Sequence, residues 1–146
     1  MARHRIRPFL PADFDAVQRL WAASEGLGTG PGDSAEAIGR FLDRNPGLSL
    51  VVEDGSSIVG AILCGHDGRR GHLYHLAVAR GHRREGFAAA LVRQCLQALS
   101  AEGIGRCLVR VQADNAGARA FWKAAGARLR DDLVEFTIDI EAEPHA

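Results

Sequence analysis

The sequence predicts a mixed α/β domain over residues 1–146, built around a largely antiparallel sheet. Three observations predict it. Short apolar runs of strand length interleave with segments whose apolar residues recur at helical spacing. Three of the strand-like runs follow one another with only turns between them, as antiparallel neighbours do. Glycine, proline, asparagine and aspartate punctuate the boundaries. The resulting order is β-α-α-β-β-β-α-β-α-β, without internal repeats or low-complexity tracts.

Arg3 to Leu10 alternates charge and apolarity around Ile6 and reads as the first strand. Pro11 and Asp13 open a helix carrying Phe14, Val17, Leu20 and Trp21 on one face. Gly26 to Gly32 is too glycine-rich for regular structure. It ends at Asp33, which with Glu36 forms a capping-box-like start for a helix that turns Ile38, Phe41 and Leu42 inward. Asn45-Pro46-Gly47 stops that helix. Leu48 to Glu53 is a strand, Asp54-Gly55 a hairpin turn, and Ile58 to Gly65 the returning strand.

After a basic loop, His66 to Gly71, the run His72 to Val78 is a further strand. Gly86 to Ala101 is a long helix ended by Gly103 and Gly105, and Cys107 to Gln112 a strand of buried type. Asn115 to Ala125 is a helix closed by Gly126. Leu133 to Ile140 alternates as a final strand, with a short extra strand near Ala127 to Arg130, and residues 141–146 read as frayed.

With 146 residues, 47% of them hydrophobic, the chain can bury a core without disulfides. Its 18 basic and 18 acidic side chains balance, so no nucleic-acid partner is expected, although all basic residues except Lys123 are arginine. The charged start, Met1-Ala2-Arg3-His4-Arg5, lacks a signal-peptide apolar region, and no run is long enough to span a membrane. A cytoplasmic protein is the expectation. Cys64, Cys95 and Cys107 read as buried free thiols, and no metal ligands are expected.

Gly26 to Gly32 follows a helix and lacks the dinucleotide-binding spacing, and no P-loop string occurs. That segment reads either as a mobile connection or as a substrate lid. Arg83-Arg84-Glu85-Gly86-Phe87-Ala88 is more informative because it joins a strand to a long helix. A helix start offers unpaired N–H groups and the positive end of its dipole, and Gly86 and Ala88 leave room for an anion to approach them. Arg80, Arg83, Arg84 and His82 add cationic character, whereas Glu85 opposes it unless it points outward. A string of this composition arises about once by chance in such a chain, so its position carries the signal.

Leu76-Ala77-Val78 through Ala88, with Asn115 to Gly126, resembles the GNAT superfamily of acyl-CoA N-acyltransferases, and bacterial YpeA-like members in particular. The likeness extends over roughly Ile6 to Ile140. It implies a sheet in which the strand His72 to Val78 splays from its neighbour, and a transferase using acetyl-CoA as co-substrate. Backbone groups at Leu76 and Val78, beside Ala77, would bond the pantetheine arm and the acetyl carbonyl. Arg83, Arg84, Glu85, Gly86, Phe87 and Ala88 would cradle the pyrophosphate, and Asn115, Ala118 and Trp122 would lie on the cofactor side. A homodimer is a frequent state among such proteins.

The reaction implied is attack by a neutral primary amine, on a small molecule or an exposed protein, through a tetrahedral oxyanion. Such amines are mostly protonated at neutral pH, so a base is needed. His72 is the expected base. It matches the family's base position, and simple alternation puts His72, Tyr74 and Leu76 on one face with Leu73, His75 and Ala77 on the other. A slip of one residue would bring His75 there instead. The family's tyrosine acid falls at Trp122, whose indole has no titratable proton. Either the thiolate leaves without a side-chain acid, or Tyr74 substitutes, or catalysis is impaired. Glu25 and Asp33 are the candidates for attracting the substrate cation. The alternative function is a non-catalytic acyl-CoA-binding sensor or partner module.

Overall fold

The computed structural model describes residues 3–141, and the chain divides into two units, residues 1–112 and 113–146. The first unit contains β1 (His4–Pro8), α1 (Phe14–Ala22), α2 (Ala35–Arg44), β2 (Leu50–Asp54), β3 (Ser57–His66), β4 (Gly71–Val78), α3 (Phe87–Ala101) and β5 (Cys107–Val109). These strands form one sheet in the order β1-β2-β3-β4-β5. The first three pairings are antiparallel and β4–β5 is parallel. The crossover that parallel pairing requires is supplied by α3.

Strand alternation gives the sheet two apolar faces. Ala61 and Leu63 turn toward α1 and α2, where they join Phe14, Val17, Leu20, Trp21, Ile38 and Leu42 in one buried cluster. Ile62 and Cys64 turn the other way, and Cys64 meets Cys95 of α3 there. The neighbouring Cys95 thiol and burial hold Cys64 well above its ordinary pKa, and burial pushes Cys107 up to about 11. Both thiols therefore stay protonated at neutral pH. Cys107 is half-buried, where the sequence predicted full burial.

The start of α2 departs from expectation. Ser34, not Asp33, caps it, accepting a hydrogen bond from Ala37 N at 3.1 Å. Asp33 instead accepts one from Gly30 N at 2.9 Å within the glycine-rich loop. Ser34 has the extended backbone of a cap residue, which leaves the Asp33 carboxylate for other partners.

The second unit holds α4 (Ala116–Ala124). Asn115 caps it by accepting from Ala118 N at 3.0 Å. Gly126, at φ +99°, closes it. Gly126 N donates to Lys123 O at 3.1 Å and Ala127 N to Trp122 O at 2.9 Å, the paired bonds of a Schellman ending. The predicted strands near 127–130 and 133–140 do not form, and Leu133, Val134, Phe136, Ile138 and Ile140 are exposed. Alternation marks a sequence able to present one face, but a strand also needs a neighbour for its backbone groups. The frayed end expected from residue 141 lies, beyond that residue, outside the described chain.

Candidate active site

The site begins where β4 and β5 part. Gly71, His72 and Leu73 pair with Cys107, Leu108 and Val109, and from Tyr74 onward β4 has no β5 partner. One edge of Tyr74–Val78 is therefore open, with backbone donors and acceptors available to a ligand. The splay implied by the resemblance is present in this pairing.

A bulge lies within that open stretch. Tyr74 pairs with Leu63 of β3, but Ala77 pairs with Ala61, so three residues of β4 span two of β3. His75 absorbs the extra residue with φ +54°, a left-handed conformation uncommon outside glycine. Strict alternation therefore fails here. Tyr74 and Ala77 both reach the cluster on the α1/α2 side, whereas the sequence reading put them on opposite faces. His75 also meets that side. Its ring lies edge-on to Trp21 at 4.8 Å, and its Nε2 is 3.0 Å from Asp33 Oδ1.

Asp33 and Trp21 help line a cavity of about 370 Å³ between α1 and the glycine-rich loop, together with Gln18, Leu27 and Thr29. This volume suits a small organic group. The indole Nε1 of Trp21 is buried without a partner. His72 stacks on Tyr74, their rings 5.8 Å apart and nearly parallel, and the Arg110 guanidinium lies 5.7 Å from the Tyr74 ring centre.

At the other end of the open edge, Arg80–His82 forms a 3-10 turn leading into the loop before α3. Arg84 and Gly86 are left-handed, with φ of +69° and +84°. Ser34 and Asn115 cap α2 and α4 through their side chains, but Gly86 gives α3 no side-chain cap. The first N–H groups of this 15-residue helix thus receive no side-chain cap from Gly86. A Cβ placed on Gly86 would meet nothing within 4 Å, so the space beside them is open. Arg83, Arg84 and Glu85 are exposed. Such an arrangement attracts an anion.

Several expected ligand groups have internal duties. Arg83 Nε donates to Val78 O at 3.0 Å, occupying one acceptor of the carbonyl assigned to the pantetheine arm. Phe87 packs on His4 at 4.7 Å between ring centres. Glu25 pairs with Arg80, and with Arg83 at 3.4 Å; these guanidiniums hold its carboxyl below the usual range. Glu25 therefore belongs with the arginine loop, and Asp33 alone of the two expected acids borders the cavity. Leu76 is half-buried, as is Ala88. Ala118 and Trp122 lie on α4 of the second unit, both half-buried, with Trp122 edge-on to Phe121 at 5.2 Å.

Sequence reasoning favoured His72 and named His75 only for the case of a one-residue slip. The available signal was the run His72-Leu-Tyr-His-Leu, in which a bulge at the second histidine changes which residues share a face.

Residues 14–127 match the Acetyltransferase (GNAT) family. An acetyltransferase of Yersinia enterocolitica is 33% identical over 130 residues, 88% of this chain and 91% of that protein. Among solved structures, Ard1 from Thermoplasma volcanium superposes with a TM-score of 0.75 at 24% identity, over 86% of this chain and 82% of its own. The PaiA N-acetyltransferase of Thermoplasma acidophilum, solved with coenzyme A, gives 0.76 at 16% identity, over 88% and 91%. The two structures share the fold, and the family match covers parts of both units. The chain belongs to the GNAT family of acetyltransferases.

Proposed function

We propose that this protein moves an acetyl group from acetyl-CoA to a primary amine by direct attack through a tetrahedral intermediate, its chain working as one acetyltransferase domain. One observation carries the reading: the unpaired edge of β4 leads to an uncapped, arginine-flanked helix start. Pantetheine is an amide-bearing arm and pyrophosphate an anion, so one ligand matches both features in order. Coenzyme A in the Thermoplasma acidophilum relative is consistent with this assignment. Leu76, Ala77 and Val78 would bind the arm, and Arg84, Gly86 and Ala88 the pyrophosphate. Arg83, bonded to Val78, would hold the end of β4 against the loop.

The cavity beside Trp21 and Asp33 takes the amine. The carboxylate draws the alkylammonium in, and a base then removes its proton before attack. In the register of the family likeness that base is His72. A second reading, favoured by the 3.0 Å contact, gives the role to His75, because Asp33 would orient its ring and stabilise the imidazolium that forms. Backbone N–H groups on the open edge supply donors for the oxyanion. The leaving thiolate departs unaided or takes a proton from Tyr74, the only tyrosine in the chain.

Calorimetry with acetyl-CoA, free CoA and ATP tests the donor site. Micromolar acetyl-CoA binding with much weaker ATP binding is the expected result, and absence of acetyl-CoA binding would overturn the reading. Release of free CoA across a panel of amines tests turnover. Tight binding with no release on any amine would favour a non-catalytic acyl-CoA-binding module.

A further inference from the structure

His4 on β1, Asp54 at the end of β2 and His82 in the 3-10 turn converge at the edge of the sheet; of the three, the sequence reading used only His82, as positive charge for the arginine loop, and its ring instead meets Asp54. His4 and Asp54 are direct partners across the β1–β2 ladder, while 28 residues separate Asp54 from His82. Asp54 Oδ2 is 3.0 Å from His82 Nε2 and 3.8 Å from His4 Nε2, and the three ligand atoms all lie within 4.8 Å of one another. The histidine rings meet edge-on at 5.7 Å. His4 Nε2 is buried with no hydrogen-bond partner, and so is His82 Nδ1.

Two imidazole nitrogens and a carboxylate oxygen pointing together need something positive among them. A proton on His82 Nε2 satisfies only the 3.0 Å pair and leaves His4 Nε2 unpartnered in a buried position. A divalent ion would satisfy His4 Nε2, Asp54 Oδ2 and His82 Nε2 together, leaving only His82 Nδ1 without a partner. Ligands about 2.0–2.1 Å from a tetrahedral ion sit about 3.3 Å from one another, so small side-chain movements would close the set. We propose that His4, Asp54 and His82 form a binding site for one divalent first-row transition metal ion, with a fourth position left for water.

Imidazole and carboxylate ligands suit zinc and its neighbours better than magnesium or calcium. With Nε2 of His82 on the metal, its proton moves to Nδ1. Arg3 Nε, 3.7 Å from Asp54 Oδ1, is exposed and approaches the other carboxylate oxygen, leaving Oδ2 for the ion. His82 directly precedes Arg83, and His4 supports Phe87, so the ion would tie the entry of α3 to the β1–β2 edge. Metal binding itself does not depend on the acetyl-CoA assignment.

The test is Zn²⁺ titration by calorimetry of full-length protein that carries no histidine tag and has been stripped with a chelator. The visible spectrum of the Co²⁺-loaded protein and the melting temperature with and without Zn²⁺ accompany it. The expected result is one Zn²⁺ per chain, a four-coordinate Co²⁺ spectrum, and a melting temperature that rises with Zn²⁺. Asp54→Asn and His82→Ala should each weaken binding at least about 10-fold. His66→Ala, which removes a histidine bonded to Glu102, should leave it unchanged. Absence of Zn²⁺ binding to the unaltered protein up to about 1 mM would overturn the proposal, independently of how any variant folds. Binding that survives both Asp54→Asn and His82→Ala but not His4→Ala would also overturn it, since it would put the ion on a chelate at the chain's amino end.

Discussion

Asp33 and His75, 42 residues apart in the chain, meet at 3.0 Å beside the edge of Trp21. The contact requires two departures from regular geometry. Asp33 is released from capping α2 because Ser34 does it, and His75 is turned by the bulge. A carboxylate that orients an imidazole makes it a better proton acceptor. If His75 is the base, Asp33→Asn should lower kcat by roughly 10²–10⁴-fold. Acetyl-CoA affinity should change little. His75→Ala and His72→Ala, measured from pH 6 to 9, decide between the two histidines: the base is the one whose removal lowers turnover near neutral pH far more than acetyl-CoA affinity.

The phosphate role of Gly86 can be separated from its backbone role. Gly86 and Gly103 sit at opposite ends of α3 with φ of +84° and +83°, and a Cβ on either would meet nothing within 4 Å. Alanine at each should cost about 1–2 kcal/mol through the same left-handed strain. Only Gly86→Ala should also weaken acetyl-CoA binding, by about 10-fold or more, because its methyl enters the space an anion would use. Calorimetry on both variants checks this, and equal affinities would remove the anion from Gly86.

Much of this was legible in the sequence, and the remainder fails for physical reasons. Helices with one apolar face, such as Phe14–Ala22, and the run into Phe87–Ala101 were readable because burial and turn chemistry act over a few residues. The bulge at His75 was not, because it depends on register against β3. Residues 133–140 alternate as a strand does, yet alternation says nothing about whether a partner edge is available. The cluster of His4, Asp54 and His82 was invisible because its members come from three elements. The pairing of Glu25 with Arg80 and Arg83 was hidden for a similar reason: its arginine partners lie more than 50 residues away in the chain.

Gly65 tests the packing that fixes β3 against α2. A Cβ there would lie 2.7 Å from both Asn45 Nδ2 and Phe41 Cζ. Asn45 cannot retreat freely, since its Oδ1 accepts from His66 N at 3.0 Å, its Nδ2 donates to Phe41 O at 3.3 Å, and the residue is 5% exposed. Gly65→Ala should therefore destabilise the fold by about 1–3 kcal/mol, read from urea unfolding. An unchanged midpoint would mean that α2 can shift as a unit.

Acid should loosen the β1–β2 edge first. Arg7 donates to both oxygens of Asp13 at 2.8 Å and lies 2.9 Å from Glu53, so one largely buried guanidinium joins β1, the turn before α1, and β2. Arg7 holds the carboxyls of Asp13 and Glu53 below their ordinary values. A carboxyl whose folded pKa is depressed contributes stability in full above its unfolded value, near 4, and loses that contribution as pH falls through the folded value. Stability should consequently be steady on this account from pH 7 down to about 4 and then fall. Asp13→Asn should cost about 1–3 kcal/mol at pH 7 and flatten the decline below about pH 4, because the group that binds the extra proton on unfolding is gone. Urea unfolding of both proteins at pH 7, 4 and 3 measures the difference; parallel declines would move the acid sensitivity away from Arg7 and Asp13.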